Sequence, residues 1–165
     1  MRKLAGILAI LVISAILFIA LNVSDASVKQ PIQYNHKKHI DAGLTCLDCH
    51  TNAEEGAKAT IPTLDNCMEC HEEAITESKE EETLRNLAAN GIVYPWRQIT
   101  SLKEDVFFSH RRHVKLVGMD CSQCHGKMEE MEKPPQKVPI KMSMKFCINC
   151  HKKTKADTDC IACHR

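Results

Sequence analysis

The ten cysteines of this 165-residue chain fall into five identical frames: Cys46-x-x-Cys49-His50, Cys67-x-x-Cys70-His71, Cys121-x-x-Cys124-His125, Cys147-x-x-Cys150-His151 and Cys160-x-x-Cys163-His164. Two thiols at this spacing can add across the two vinyl groups of a haem, and the histidine that follows sits on the same turn, where its imidazole reaches the iron as proximal ligand. A zinc ribbon has no need of a histidine directly after its second cysteine, and a disulfide framework does not repeat a spacing that closes a strained small loop. The pattern therefore predicts five covalently bound haem c groups and leaves no thiol for other chemistry.

The remaining four of the nine histidines lie in two matching segments. Tyr34-Asn35-His36-Lys37-Lys38-His39, with Gly43, precedes the first frame; Phe108-Ser109-His110-Arg111-Arg112-His113, with Gly118, precedes the third. An aromatic-x-His-x-x-His segment ahead of such a frame resembles the class III multihaem cytochromes c. In that family the two histidines are distal ligands to two different haems. The resemblance implies that His36 serves the first haem and His110 the third, while His39 and His113 reach across to others. Five six-coordinate haems need ten axial ligands, so nine histidines leave at least one haem with another sixth ligand or an open position. Methionine is the usual substitute. Met119, Met128, Met131, Met142 and Met144 cluster in the second half, which places the odd haem there.

A second resemblance runs through the later part of the chain. Pro95-Trp96-Arg97, the stretch from Val106 to Val114, Gly118 to Gly126, Met131-Glu132, and Met144-Lys145-Phe146-Cys147 through His151 are similar to the pentahaem subunit of alternative complex III. Such a subunit is held in the membrane by one N-terminal helix beside iron–sulfur/molybdopterin-type and polytopic quinone-binding subunits, and the assembly oxidises quinol and passes electrons outward. The resemblance implies the same kinds of partner here, together with a periplasmic electron acceptor. It also makes Met144 the first choice for the odd sixth ligand, ahead of Met131, with Met142 a competing thioether.

The elements that must position these groups are sparse. About 140 residues remain after the N-terminal segment, too few to wrap each of five haems in its own fold. Aromatic residues make up 4% of the chain, and no long apolar periodic run follows residue 26, so side chains alone supply no sizeable core. The expected fold is mostly irregular, with short α-helices packed around five covalent haems. An internal repeat divides it: the first cysteines of frames one and three are 75 residues apart, and Ile61-Pro62 and Pro139-Ile140 precede the second and fourth frames. One module spans residues 28–94 with haems 1–2, the other residues 95–165 with haems 3–5. The acidic run from Glu69 to Glu82 reads as part of a helix that leaves the second frame, presents a solvated face and ends at Asn90-Gly91. Trp96 and Arg97 at the junction suit either a structural contact or a propionate or partner, and Lys133-Pro134-Pro135-Gln136 suits an extended connector.

Residues 1–26 carry Arg2 and Lys3 ahead of an apolar run from Leu4 to Leu21. Eighteen residues at helical rise cover about 27 Å, close to the hydrocarbon core and longer than the usual secretory apolar stretch. A membrane anchor is favoured; Ser24-Asp25-Ala26 before Ser27 keeps a cleaved signal peptide open. Either places the rest on the periplasmic side of the inner membrane. The formal charge of +1 includes Arg2, Lys3 and Asp25 of this segment, and haem propionates would make the remainder acidic, which excludes a phosphate-backbone partner. An electron-relaying subunit is expected, ahead of a soluble periplasmic shuttle and of a small multihaem reductase. No C-x-x-C-K frame is present, Thr51 and Asn52 follow His50 where tetrahaem quinol dehydrogenases place a nearby methionine, and no acid–base constellation exists beyond the histidines.

Overall fold

A computed structural model describes residues 28–93 and 96–164. The run predicted to anchor the chain lies outside these residues; within them, no helix is long and apolar enough to cross a membrane. The helices are short: α1 (His36–Asp41), α2 (Cys46–Cys49), α3 (Leu64–His71), α4 (Lys79–Ala89), α5 (Ser122–His125), α6 (Met144–Thr154) and α7 (Cys160–Cys163). A π-helical turn covers Arg112–Leu116 and a 3-10 turn Met128–Glu130. No β-strand forms among the described residues, and Val106 and His164 make an isolated antiparallel bridge.

Local polar residues start these helices. Asn35 accepts from the Lys38 amide (2.9 Å) ahead of α1. Thr45 with Asp48 and Thr63 with Asn66 close capping boxes on α2 and α3, and the Ser143 hydroxyl accepts from the Phe146 amide (3.3 Å) on α6. Among the described helices, α2, α3, α6 and α7 each carry a whole Cys-x-x-Cys pair, and α5 carries Cys124 with Cys121 as its N-cap, so each attachment frame has a fixed backbone. Gly43 and Gly118, the matching glycines of the repeat, both take positive φ (95° and 73°), a turn that residues with a Cβ avoid.

Among the described residues the buried aliphatic side chains are Ile32 and Ala53, and none is less than 2% exposed. Polar cross-links tie the chain instead. The Lys37 amide donates to the Met131 carbonyl (3.0 Å), packing α1 on the 3-10 turn, and the Val28 amide donates to the Gln136 carbonyl (2.9 Å). Gln30, itself buried, exchanges two hydrogen bonds with the Arg97 backbone, and the Trp96 indole donates to the Pro62 carbonyl (3.0 Å). Lys115 pairs with Glu54 at 2.6 Å. These bonds cross residue 94, so the two halves are interleaved.

The acidic run does not form one helix. It breaks between α3 and α4, because Ser78 caps α4 by accepting from the Glu80 amide (3.2 Å) and residues 72–78 turn back on themselves. Nor is its face wholly solvated: Glu81 is 7% exposed and points into the turn. The helix does end at Asn90, with Gly91 at φ 62°.

Candidate haem sites

Tyr34 and Phe108 arrange their histidines alike. Tyr34 stacks on His39 (4.5 Å, 22° between planes) and meets His36 edge-on (4.8 Å, 86°); Phe108 stacks on His113 (4.5 Å, 25°) and meets His110 edge-on (4.9 Å, 88°). Each aromatic ring thus turns two imidazoles in different directions. His39 comes to 6.1 Å from His71, His110 to 6.2 Å from His125, and His113 to 6.1 Å from His151, ring centre to ring centre. Two metal–nitrogen bonds of about 2 Å plus two ring radii also come to about 6 Å, so these three pairs have the separation of imidazoles on opposite sides of one metal ion. His36 lies within electrostatic range of His50, and His50 in turn within range of His125. His164 has no second imidazole beside it among the described residues. Among the described residues, no group of three or more His, Cys, Asp or Glu gathers as a protein-only metal site.

Most of these rings have Nδ1 committed. It meets the backbone carbonyl of Asn35 at His39 (2.8 Å), of Thr60 at His50 (2.8 Å), of Ala57 at His110 (2.9 Å), of Ser109 at His113 (2.8 Å) and of Asp157 at His151 (2.6 Å). Nδ1–H donated to a carbonyl leaves Nε2 unprotonated, which is the metal-binding form. His71 instead donates to Glu81 Oε1 (3.0 Å) and His164 to Asp105 Oδ2 (3.2 Å). His36 Nδ1 is buried without a hydrogen-bond partner. Burial, with His50 and His39 nearby, lowers the His36 pKa to about 4; burial and then His110 and His50 lower that of His125. Both shifts favour the neutral ring, the form that ligates iron.

No disulfide joins any of the ten cysteines, which leaves each thiol available for haem attachment. Burial raises the pKa of Cys49, Cys67, Cys124 and Cys147, and pushes Cys121 up to about 11. Neighbouring thiols add to these shifts and so map the frames onto one another. Cys49 feels Cys70 and raises Cys67; Cys121 is hydrogen-bonded to Cys46; Cys124 feels Cys150 and Cys147; Cys147 feels Cys163. The order of neighbours is second, first, third, fourth, fifth. Backbone contacts agree in part: the His110 and Arg111 amides donate to the Ala57 and Gly56 carbonyls (3.1 and 2.9 Å), joining the third site to the segment after the first, while the Phe107 amide donates to the Cys163 carbonyl (2.8 Å) and ties the fifth frame to the segment ahead of the third. Tyr34, whose pKa is raised mainly by burial and then by Cys49, donates its hydroxyl to that thiol.

Met144 opens α6 one turn ahead of Cys147 and is 67% exposed, while Met131 and Met142 are half-buried elsewhere. No contact recorded among the described residues joins these sulfurs to His164. The residues that sequence reading passed over are the acceptors of Nδ1. Glu81 and Thr60 both stand ten positions after their histidines. That common offset is hidden because one acceptor is a side chain and the other a carbonyl.

Known proteins point the same way as this donor set. Residues 106–165 match the family of cytochrome c7 and related cytochrome c, and residues 38–96 match cytochrome c3. Both matches are to multihaem cytochromes c of the class III type, and together they support covalently bound haem c and an electron-transfer role rather than enzymatic activity. It is 29% identical, over 163 aligned residues covering 83% of this chain and 77% of the other, to the menaquinone reductase multiheme cytochrome c subunit of Nitratidesulfovibrio vulgaris strain Hildenborough.

Proposed function

We propose that this chain holds five haem c groups and relays electrons on the periplasmic side of the membrane, as an anchored subunit of a quinone-linked respiratory complex. The observation that carries the relay is the set of imidazole pairs: each aromatic-x-His-x-x-His segment reaches two successive attachment frames, so both halves hold their sites side by side. Each haem, when bound, supplies one iron that takes up or releases one electron. The two cysteines of each frame would fix the haem covalently, and at the four sites with two imidazoles those rings would supply neutral nitrogen donors to its iron. The sites follow one another in the order second, first, third, fourth, fifth, and that is the order of relay.

Eight histidines pair off, so the odd site is the fifth, on Cys160, Cys163 and His164. Met144 is its proposed sixth ligand, because the helix that starts there also carries Cys147, which lies in range of Cys163. The similarity to a menaquinone reductase subunit and the resemblance to quinol-oxidising complexes both support iron–sulfur/molybdopterin-like and polytopic quinone-binding partners, with the N-terminal helix as anchor. Purification from solubilised membranes in mild detergent tests this. Mass spectrometry showing five added haems, residues 1–26 intact and co-purifying quinone-binding subunits supports it; a cleaved, monomeric cytochrome would make the chain a soluble shuttle. Adding menaquinol to the oxidised complex, and menaquinone to the reduced complex, then gives the direction of flow.

A further inference from the structure

The second site differs from its neighbours in what stands behind the proximal ligand. Carbonyl oxygens accept from Nδ1 of His39, His50, His110, His113 and His151, whereas His71 faces a carboxylate. Glu81 is 7% exposed, and its two oxygens take every donor within reach: His71 Nδ1 (3.0 Å), the amides of Ile75 (2.7 Å) and Thr76 (2.8 Å), and the Thr76 hydroxyl. A carboxyl group that only accepts, on both oxygens, is the ionised form. The turn at residues 72–78 supplies three of these donors, the Ile75 and Thr76 amides and the Thr76 hydroxyl. Asp105 makes the comparable contact to His164, but its side chain is 60% exposed and the distance is longer, so water screens it.

We propose that Glu81 is a positioning residue that lowers the reduction potential of the haem on Cys67 and Cys70, by drawing the Nδ1 proton of His71 toward its carboxylate. The proposal rests on reading Cys67–His71 as a haem attachment site. A carboxylate behind an imidazole makes Nε2 a stronger donor than a carbonyl does, and a stronger donor favours the ferric over the ferrous ion. Burial keeps the effect from being screened by solvent. The second site is also one end of the row of frames, so the tuned haem would stand where electrons enter or leave.

The test is a redox titration of the full, haem-loaded protein, followed by visible and EPR spectroscopy. E81Q keeps an oxygen for His71 but loses the charge; one midpoint potential should rise while the others stay and the spectrum remains low-spin. T76V removes a competing hydroxyl donor and leaves the carboxylate, so the same potential should fall. E80Q is the control: Glu80 lies on the same helix but accepts from the Gln33 amide (2.7 Å) and not from a histidine, and neutralising it should leave the potential of the haem on Cys67 and Cys70 unmoved. Five haems with unmoved potentials in E81Q and T76V, or an equal shift in E80Q, overturn the role of Glu81. A wild-type mass lacking haem on Cys67 and Cys70 overturns the attachment reading and this role with it.

Discussion

An imidazole that is to bind iron must commit one nitrogen elsewhere, and here the backbone does most of that work. The carbonyl of Thr60 is aimed at His50 by a residue in left-handed conformation, φ 56°. The pairing of His39 with His71 makes a sharp expectation. H39A should convert a single haem to high spin with the rest of the low-spin spectrum unchanged, because the thioether links and His71 stay in place; two altered haems in the EPR spectrum would refute the pairing. M144A should do the same to the fifth haem, and an unchanged spectrum would remove Met144 from the ligand set. Asp120 offers a pH test. Its carboxyl is held below the ordinary range by the Ser122 hydroxyl and then the Ser122 amide, so its contribution is complete above the ordinary carboxylate pKa and is lost as pH falls through its lower folded value. D120N keeps an acceptor but should abolish that part of the acid-unfolding slope, read by circular dichroism.

Helices this short owe their existence to caps and to what they carry, since isolated turns are marginal in water. Ser143 caps α6, which holds Cys147, Cys150 and His151, so S143A should cost about 1 kcal/mol and lower the thermal midpoint of the holoprotein. Lys155 ends the same helix at φ 57°, a conformation that costs a residue with a Cβ about 1 kcal/mol; K155G should raise the midpoint. Both are read by scanning calorimetry. At this scale the sequence was informative where the pattern is local. Helices around the cysteine frames, the end of α4 at Asn90 and the turns at Gly43 and Gly118 all follow from neighbouring residues. The acidic run misled because charge density says nothing about direction: Glu81 and Glu82 are adjacent, yet the first is buried against His71 and the second faces solvent.

Across the whole molecule, contacts between the halves decide the arrangement. Lys37 meets Met131, Arg111 meets Gly56, and His110 meets Ala57, so neither half is closed by itself. In the proposed order of sites the third frame is central and the fifth terminal. Replacing Cys121 and Cys124 by alanine should stop electron exchange between the end haems in stopped-flow experiments, whereas replacing Cys160 and Cys163 should leave exchange among the others; equal effects would disprove the linear order. What the chain by itself determined is the chemistry: the five cysteine frames, the histidine after each, the two aromatic-x-His-x-x-His segments and the shortage of imidazoles. Covalent attachment depends on residues two or three positions apart, which sequence states directly. Which imidazole faces which, which site is left with one histidine, and which acidic residue turns inward were decided by the fold. The stacked or edge-on imidazole pairs join residues 15 to 38 positions apart, and only chain reversal brings them within about 6 Å.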